Sequence, residues 1–202
     1  MVFGAVEVVE AQNSSLLKKA LKKEYKTKMK QLKKEGWKIY GSSRSLDVAL
    51  LSHYDKLDKL GENGYELMGD ASKFKSTSVG KERALTNATE VYAHEASAYV
   101  KGRITNDMFN DADNLDAEFD KFYAAYEVLV AKEIKGELQE SFSLIRDLGD
   151  GTFTMQVYFI VNENAASKAR IRAMENALRE SELAQKYAEQ VSKFVRDGFV
   201  NE

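Results

Sequence analysis

The chain has 202 residues, of which 44% are hydrophobic and 10% aromatic, enough to bury the core of one domain. Thirty basic against 32 acidic residues give a formal charge of -2, so no overall charge attracts nucleic acid. The absence of cysteine excludes disulfides, thiolate metal ligands, thiol nucleophiles and a lipidated cysteine from this sequence. No apolar stretch has the length of a transmembrane segment.

The first 13 residues have two interpretations. Val9-Glu10-Ala11 resembles the pattern of small residues, as in A-x-A, that signal peptidase recognises before its cleavage site. Residues 1–13 are therefore a candidate signal-peptide remnant. Glu7 and the lack of a basic start favour a disordered or edge-strand N-terminus instead. We expect residues 14–202 to form a single α+β domain, with the lysine-rich helix of residues 14–35 as an appendage.

Hydrophobic periodicity in the first half of the chain predicts three helices separated by two short strands. Serine, a preferred N-cap residue, stands at or near each helix start, and glycines follow the first two helices. The third helix is rich in alanine, which allows close packing on a sheet. In order, the elements are a helix from Ser14 or Ser15 to Glu35, a strand over residues 36–41, a helix from Ser45 to Leu60, a strand over residues 65–75 and a helix opened by residues 76–78.

The second half of the chain is predicted to contain a helix, a β-hairpin and a final helix. A polar connection over residues 105–114 precedes the fourth helix, whose aromatic stripe includes Phe119 and Tyr126 and which ends at Gly136. The final helix is predicted to run from Glu163 to Arg196.

The hairpin over residues 137–163 is the clearest structural pattern in the sequence. Its reversal is supplied by Asp147-Leu148-Gly149-Asp150-Gly151, because Asp and Gly accept the backbone angles of a tight connection. Apolar residues alternate in both arms, so we predict that one face of the hairpin is buried. These residues are Leu138, Phe142 and Leu144 in the first arm and Phe153, Met155, Val157, Phe159 and Val161 in the second.

The first predicted helix is strongly basic, with nine lysines and one glutamate in residues 18–34. A basic amphipathic helix can dock on an anionic surface or an acidic partner. The alternative, which the sequence favours, is that the lysines only solvate a helix whose leucine seam packs on the protein. Arginines interleaved with aromatic residues are absent, so nucleic acid is not an expected partner. The candidate interaction surface is Lys22, Lys26, Lys30 and Lys33.

The two histidines and one glutamate are the polar residues most relevant to chemistry. His53 shares the leucine stripe of its helix and is predicted to be a partly buried, hydrogen-bonded core residue, whereas His94 is predicted to face solvent. Glu95 lies on an alanine and tyrosine face that we expect to be buried against the sheet, paired with Lys101, Arg103 or a tyrosine. No catalytic residue, metal ligand or cofactor site is predicted.

The order of elements resembles a known bacterial family. The resemblance is carried by a strand through Gly69, an alanine-spaced helix over residues 84–100, a strand over residues 137–146, a return strand through Val157 and a charged C-terminal helix. Over residues 65–163 the chain is similar to the bacterial twenty-kilodalton envelope lipoproteins, which are related to the N-terminal domain of a flagellar assembly protein. The resemblance implies a periplasmic or outer-membrane-associated α+β module without known catalysis. The family's lipidated cysteine is missing, and no functional residue carries over.

The sequence thus predicts an α+β fold with a three- to four-stranded, mostly antiparallel sheet covered on one face by long helices, plus an N-terminal basic helix. The predicted function is a non-catalytic binding or structural module of the cell envelope, periplasmic or secreted, whose partner is an envelope protein or an anionic surface. One alternative is an enzyme with a site assembled around Glu95 and His53. Another is a cytoplasmic adaptor that uses the basic helix.

Overall fold

A computed structural model describes residues 3–108 and 116–197, with side chains described for residues 19–106 and 119–196. Four strands form a single sheet, in which every neighbouring pair is antiparallel. They are β1 (Lys38–Tyr40), β2 (Gly64–Phe74), β3 (Gln139–Asp147) and β4 (Phe153–Asn162), arranged in the order β1-β3-β4-β2. The predicted α+β class and antiparallel sheet are confirmed.

The described residues also form seven α-helices, and short 3-10 turns follow α2, α4 and α5. Most of the helices begin near the predicted positions, and Ser45 caps the second by accepting a hydrogen bond from the Val48 amide. The helices are α1 (Phe3–Lys34), α2 (Leu46–Leu60), α3 (Thr77–Met108), α4 (Asp116–Ile134), α5 (Glu163–Ala177), α6 (Glu182–Lys186) and α7 (Ala188–Asp197).

Two predicted helix boundaries are wrong. Helix α1 begins at Phe3, so Ser14 and Ser15 lie inside it and do not cap it. The final helix predicted from Glu163 to Arg196 is broken into three, because the Ser181 hydroxyl caps α6 by accepting a 3.1 Å hydrogen bond from the Ala184 amide. Of the predicted connection at residues 105–114, the first four residues continue α3 and the remainder lie outside the described residues.

The predicted apolar face of β4 forms the centre of the larger hydrophobic core. Met155, Val157, Phe159 and Val161 are all buried there, with α3 lying directly on β2 and β4. Helix α4 packs against α3 and α5, and α7 packs against α5 and α3, which completes the cover of this face. Burial of each such side chain stabilises the fold by roughly 1.5 to 3 kcal/mol.

The sheet is covered on both faces, which corrects the prediction that helices cover only one. Tyr158 points away from the larger core and stacks on Phe142, with ring centroids 4.4 Å apart. Both belong to a second core with Leu144, covered by α2 and by the C-terminal part of α1. The physical reason is that β4 carries the large residues Tyr158 and Ile160 on the side opposite Phe159, so both faces need cover.

A β-bulge in β3 decides which residues join which core. The pairing of β3 with β4 shifts between Glu140 and Phe142, which leaves Ser141 as the extra residue. One added residue reverses the side-chain alternation, so Leu138 packs on the larger core while Phe142 packs in the second. The sequence pattern placed both on one face, because alternation alone does not reveal a bulge.

Close contact between α3 and the sheet depends on small residues at their crossing. A Cβ atom added at Gly69 would lie 1.9 Å from the carbonyl oxygen of Ala84, well inside the closest real contact. Ala84 and Ala88 are fully buried at this crossing. The prediction that alanines let this helix approach a sheet closely is therefore confirmed.

Phe159→Ala tests the assignment of the β4 core face. Removing this buried ring leaves a cavity between β4 and α3, so we expect a loss of about 3 to 5 kcal/mol in the free energy of unfolding. Val128→Ala, at an exposed position of α4, is the control and should change stability by less than about 0.5 kcal/mol. Denaturant melts measure both, and a loss below about 1 kcal/mol for Phe159→Ala would contradict the assignment.

Candidate functional site

From residue 19 onward, the outer face of α1 carries a row of lysines without ion pairs to the described residues. Helix α1 packs on α2 and the second core through Tyr25, Met29 and Leu32, which fixes the direction of its other faces. On the outer side the exposed lysines surround Thr27, and none of them makes an ion pair with any residue that the structure describes. We call this set the lysine face; it consists of Lys19, Lys22, Lys23, Lys26 and Lys30.

Three of the four lysines predicted as an interaction surface belong to the lysine face. The fourth, Lys33, does not, because its ammonium lies 3.4 Å from the carboxylate of Asp47 on α2. Lys28 is also engaged, 5.1 Å from the centre of the Tyr158 ring. Lys19 and Lys23 were missed by the prediction, although their spacing along the helix could have identified them.

Hydrogen bonds from two tyrosines help to fix α1 against α2. The Tyr25 hydroxyl donates to Asp47 over 3.1 Å, and the Tyr54 hydroxyl donates to Glu24 over 3.4 Å. Burial, followed by the nearby carboxylates of Glu24 and Glu66, raises the pKa of Tyr54 to about 12. The tyrosine therefore stays neutral and able to donate near neutral pH, and the lysine face keeps its orientation.

His53 is a hydrogen-bonded core residue, as predicted, but it is fully buried beside the second core and not partly buried. Its Nε2 atom lies 2.6 Å from a carboxylate oxygen of Glu66 on β2, and its ring contacts Phe142 and Tyr158 edge-on. Its Nδ1 atom is buried without a hydrogen-bond partner among the described residues. The contact with Glu66 holds the ring in place through Nε2. Neither ring nitrogen is exposed to a substrate.

Glu95 is exposed, so the prediction that it is buried against the sheet is wrong. Four residues make about 40 degrees more than one full turn of a helix. The side of a long helix that faces its neighbours therefore changes along its length, and a stripe that is buried at its start becomes exposed further along. The inward face of α3 begins at Ala84 and Ala88 and passes to Ala96, Val100 and Ile104. Glu95 is left on the outer side because α3 packs on the sheet at first and on α4 and α7 further along.

Glu95 instead borders an open groove between α3 and α4, with a volume of about 660 Å³. Its lining includes two exposed apolar residues, Val91 (40% exposed) and Val128 (70% exposed). Three acidic residues, Glu90, Glu95 and Glu127, line the same groove. We call this feature the acidic groove. His94, exposed as predicted, also borders it, with Nδ1 3.6 Å from Glu127.

The structure does not bring Glu95 and His53 together. His53 lies beneath α2 on one face of the sheet, whereas Glu95 lies on the outer side of α3, which covers the opposite face. The site proposed around these two residues is therefore not formed. Among the described residues, no group of three or more histidine, aspartate and glutamate side chains is arranged to hold a metal ion. No helix in the described ranges combines the length and apolar character needed to cross a membrane.

Comparison with other proteins adds no relative. No family model matches the chain, and neither does any curated protein or solved structure. The candidate sites therefore rest on the geometry of the lysine face and the acidic groove.

His53→Gln tests whether His53 is a structural residue. Glutamine keeps one hydrogen bond to Glu66 but loses ring contacts in the second core, so we expect a loss of about 1 to 3 kcal/mol in the free energy of unfolding. His94→Gln is the matched control on an exposed histidine and should stay within about 0.5 kcal/mol of the original protein. Equal effects of the two substitutions in denaturant melts would contradict the structural role of His53.

Proposed function

We propose that this protein is a non-catalytic binding or structural module of the cell envelope, and that its lysine face docks on an acidic protein surface. The observation that carries the proposal is the set of five exposed lysines without an ion-pair partner in the described part of the chain. Like charges held together on one helix repel each other, so an acidic partner relieves the repulsion and gains attraction.

The construction of α1 supports an acidic protein rather than a lipid bilayer as the partner. Helices that lie in a membrane surface insert an apolar face, commonly with aromatic anchors. In the described side chains of α1, the apolar residues Met29 and Leu32 are buried in the second core, Tyr25 is tied to Asp47, and Leu21 is the one large apolar residue that is exposed. The side that remains free is charged, which suits docking between protein surfaces.

The envelope assignment is supported by the resemblance in element order over residues 65–163. The assignment to binding rather than catalysis is supported by the burial of His53 and by its separation from Glu95. Fractionation of cells that express the native gene tests the compartment, because an envelope protein appears in the periplasmic or outer-membrane fraction. Recovery in the cytoplasm alone would favour the adaptor alternative, which uses the same lysine face.

A quadruple substitution of Lys22, Lys23, Lys26 and Lys30 by glutamine tests the lysine face. With polyglutamate as the acidic probe, we expect micromolar association that weakens steeply with salt, because exposed charges are screened within about 8 Å at physiological ionic strength. The variant should bind at least about tenfold more weakly, since each exposed pair contributes a few tenths to 1 kcal/mol. Its melting temperature should change little. Titration calorimetry at several salt concentrations measures the binding.

The matched control replaces four exposed lysines elsewhere, Lys75, Lys121, Lys168 and Lys193, by glutamine. It removes the same charge and should keep most of the binding. Equal losses in the two variants would show that only net charge matters, and the proposed docking on α1 would be wrong. The lipid alternative is tested with vesicles of phosphatidylglycerol and phosphatidylcholine, and stronger binding to these vesicles than to polyglutamate would contradict a protein partner.

A further inference from the structure

We infer that the acidic partner of the lysine face is the acidic groove of a second copy of this chain, so that the protein associates head to tail. This inference rests on the proposed function and names the partner of that same surface. It follows from three properties of the molecule: the segregation of its charge, the character of the groove, and the positions of the two surfaces on opposite sides of the sheet.

Charge is divided very unevenly along the chain. Residues 18–34 hold nine lysines and one glutamate, so the rest of the chain holds 21 basic and 31 acidic residues. When two copies approach, the strongest attraction is between α1 of one copy and the acidic body of the other. Such attraction steers encounter and selects orientation, even though the formal net charge of the whole chain is only -2.

The acidic groove is the place on that body best suited to receive a basic helix. Its lining contains no lysine or arginine, and neither Glu90 nor Glu95 forms an ion pair with a described residue. The same lining contains Val91 and Val128, which are exposed to solvent in the single chain. A groove lined by both carboxylates and exposed valines accepts lysines well, because their aliphatic stems cover apolar surface while their ammonium groups reach the carboxylates.

The spacing of charges on the two surfaces is compatible. Lys22, Lys26 and Lys30 follow one another at intervals of four residues, about 6 Å each along a helix axis. On α3 Glu90 and Glu95 are five positions apart, about 7.5 Å along the helix axis, and Glu127 adds a carboxylate from α4. One face of α1 can therefore meet the carboxylates of both helices.

The fold prevents the two surfaces from meeting within one chain. Helix α1 lies with α2 on the face of the sheet that carries Tyr158, whereas α3 and α4 cover the face that carries Phe159. The lysine face and the acidic groove are thus on opposite sides of one molecule. Contact between copies joins unlike surfaces, which produces chains or rings rather than a symmetric pair.

Complementary charge reversals test this directly. One variant carries Lys22→Glu, Lys26→Glu and Lys30→Glu, and the other carries Glu90→Lys, Glu95→Lys and Glu127→Lys. The original protein should gain mass with concentration in sedimentation velocity at low salt and lose it at high salt. Each variant alone should be monomeric, because its α1 and its groove then carry charges of the same sign. An equal mixture should associate again with the two variants alternating, because the acidic α1 of one variant attracts the basic groove of the other and the original α1 of the second attracts the original groove of the first.

A third variant controls for net charge by reversing exposed acidic residues away from the groove, with Asp58→Lys, Glu62→Lys and Glu175→Lys. It should keep the original self-association. Circular dichroism and melting curves show that each variant is folded, and Val128→Ser, which leaves all charges in place, should weaken association by about threefold to tenfold through the lost apolar contact.

Two outcomes overturn the inference. A protein that stays monomeric at several hundred micromolar and low salt has no such contact, and a mixture of the two reversals that stays monomeric shows that these surfaces do not pair. Binding to polyglutamate separates this failure from that of the proposed function. If polyglutamate still binds through α1, the lysine face serves a different acidic protein; if it does not, both the docking function and the inference are wrong.

Discussion

The burial of strand β4 on both of its faces is the constraint on which the rest of the structure depends. Phe159 and its alternate neighbours need cover on one side, while Tyr158 needs cover on the other. A four-stranded sheet cannot supply that cover itself, so helices form a layer on each side. The C-terminal part of α1 belongs to one of these layers, since Met29 and Leu32 are buried there.

A buried arginine holds the larger helical layer together. The Arg170 side chain on α5 is fully buried and donates to Glu163 in an ion pair, to the Tyr92 hydroxyl over 2.6 Å and to the Val195 carbonyl over 3.4 Å. These partners stand at the start of α5, on α3 and on α7. A buried charge persists only with such satisfied partners, and removing one typically costs about 3 to 5 kcal/mol. The orientation of α3, and with it the acidic groove, depends on this cluster.

The two helical layers also separate the basic surface of the molecule from its acidic surface. Because α1 and the α3–α4 pair lie on opposite faces of the sheet, basic and acidic surfaces are kept apart and cannot neutralise each other within the chain. Interior polar groups are used for structure: His53 faces Glu66, and Arg170 faces Glu163. The surface charges that remain unpaired are thus the ones available for contacts with other molecules, which is why the proposals concern association.

The sequence by itself determined the local elements, because the period-two pattern of Met155, Val157 and Phe159 and the Ser45 cap are short-range features. It also determined the basic character of α1 and the burial of His53. Only the tertiary structure decided what each element packs against. The Ser141 bulge, the drift of the α3 stripe that exposes Glu95 and the pairing of Lys33 with Asp47 depend on neighbours distant in the sequence. The acidic groove joins residues of two helices about 30 positions apart, a juxtaposition that periodicity along one helix does not reveal.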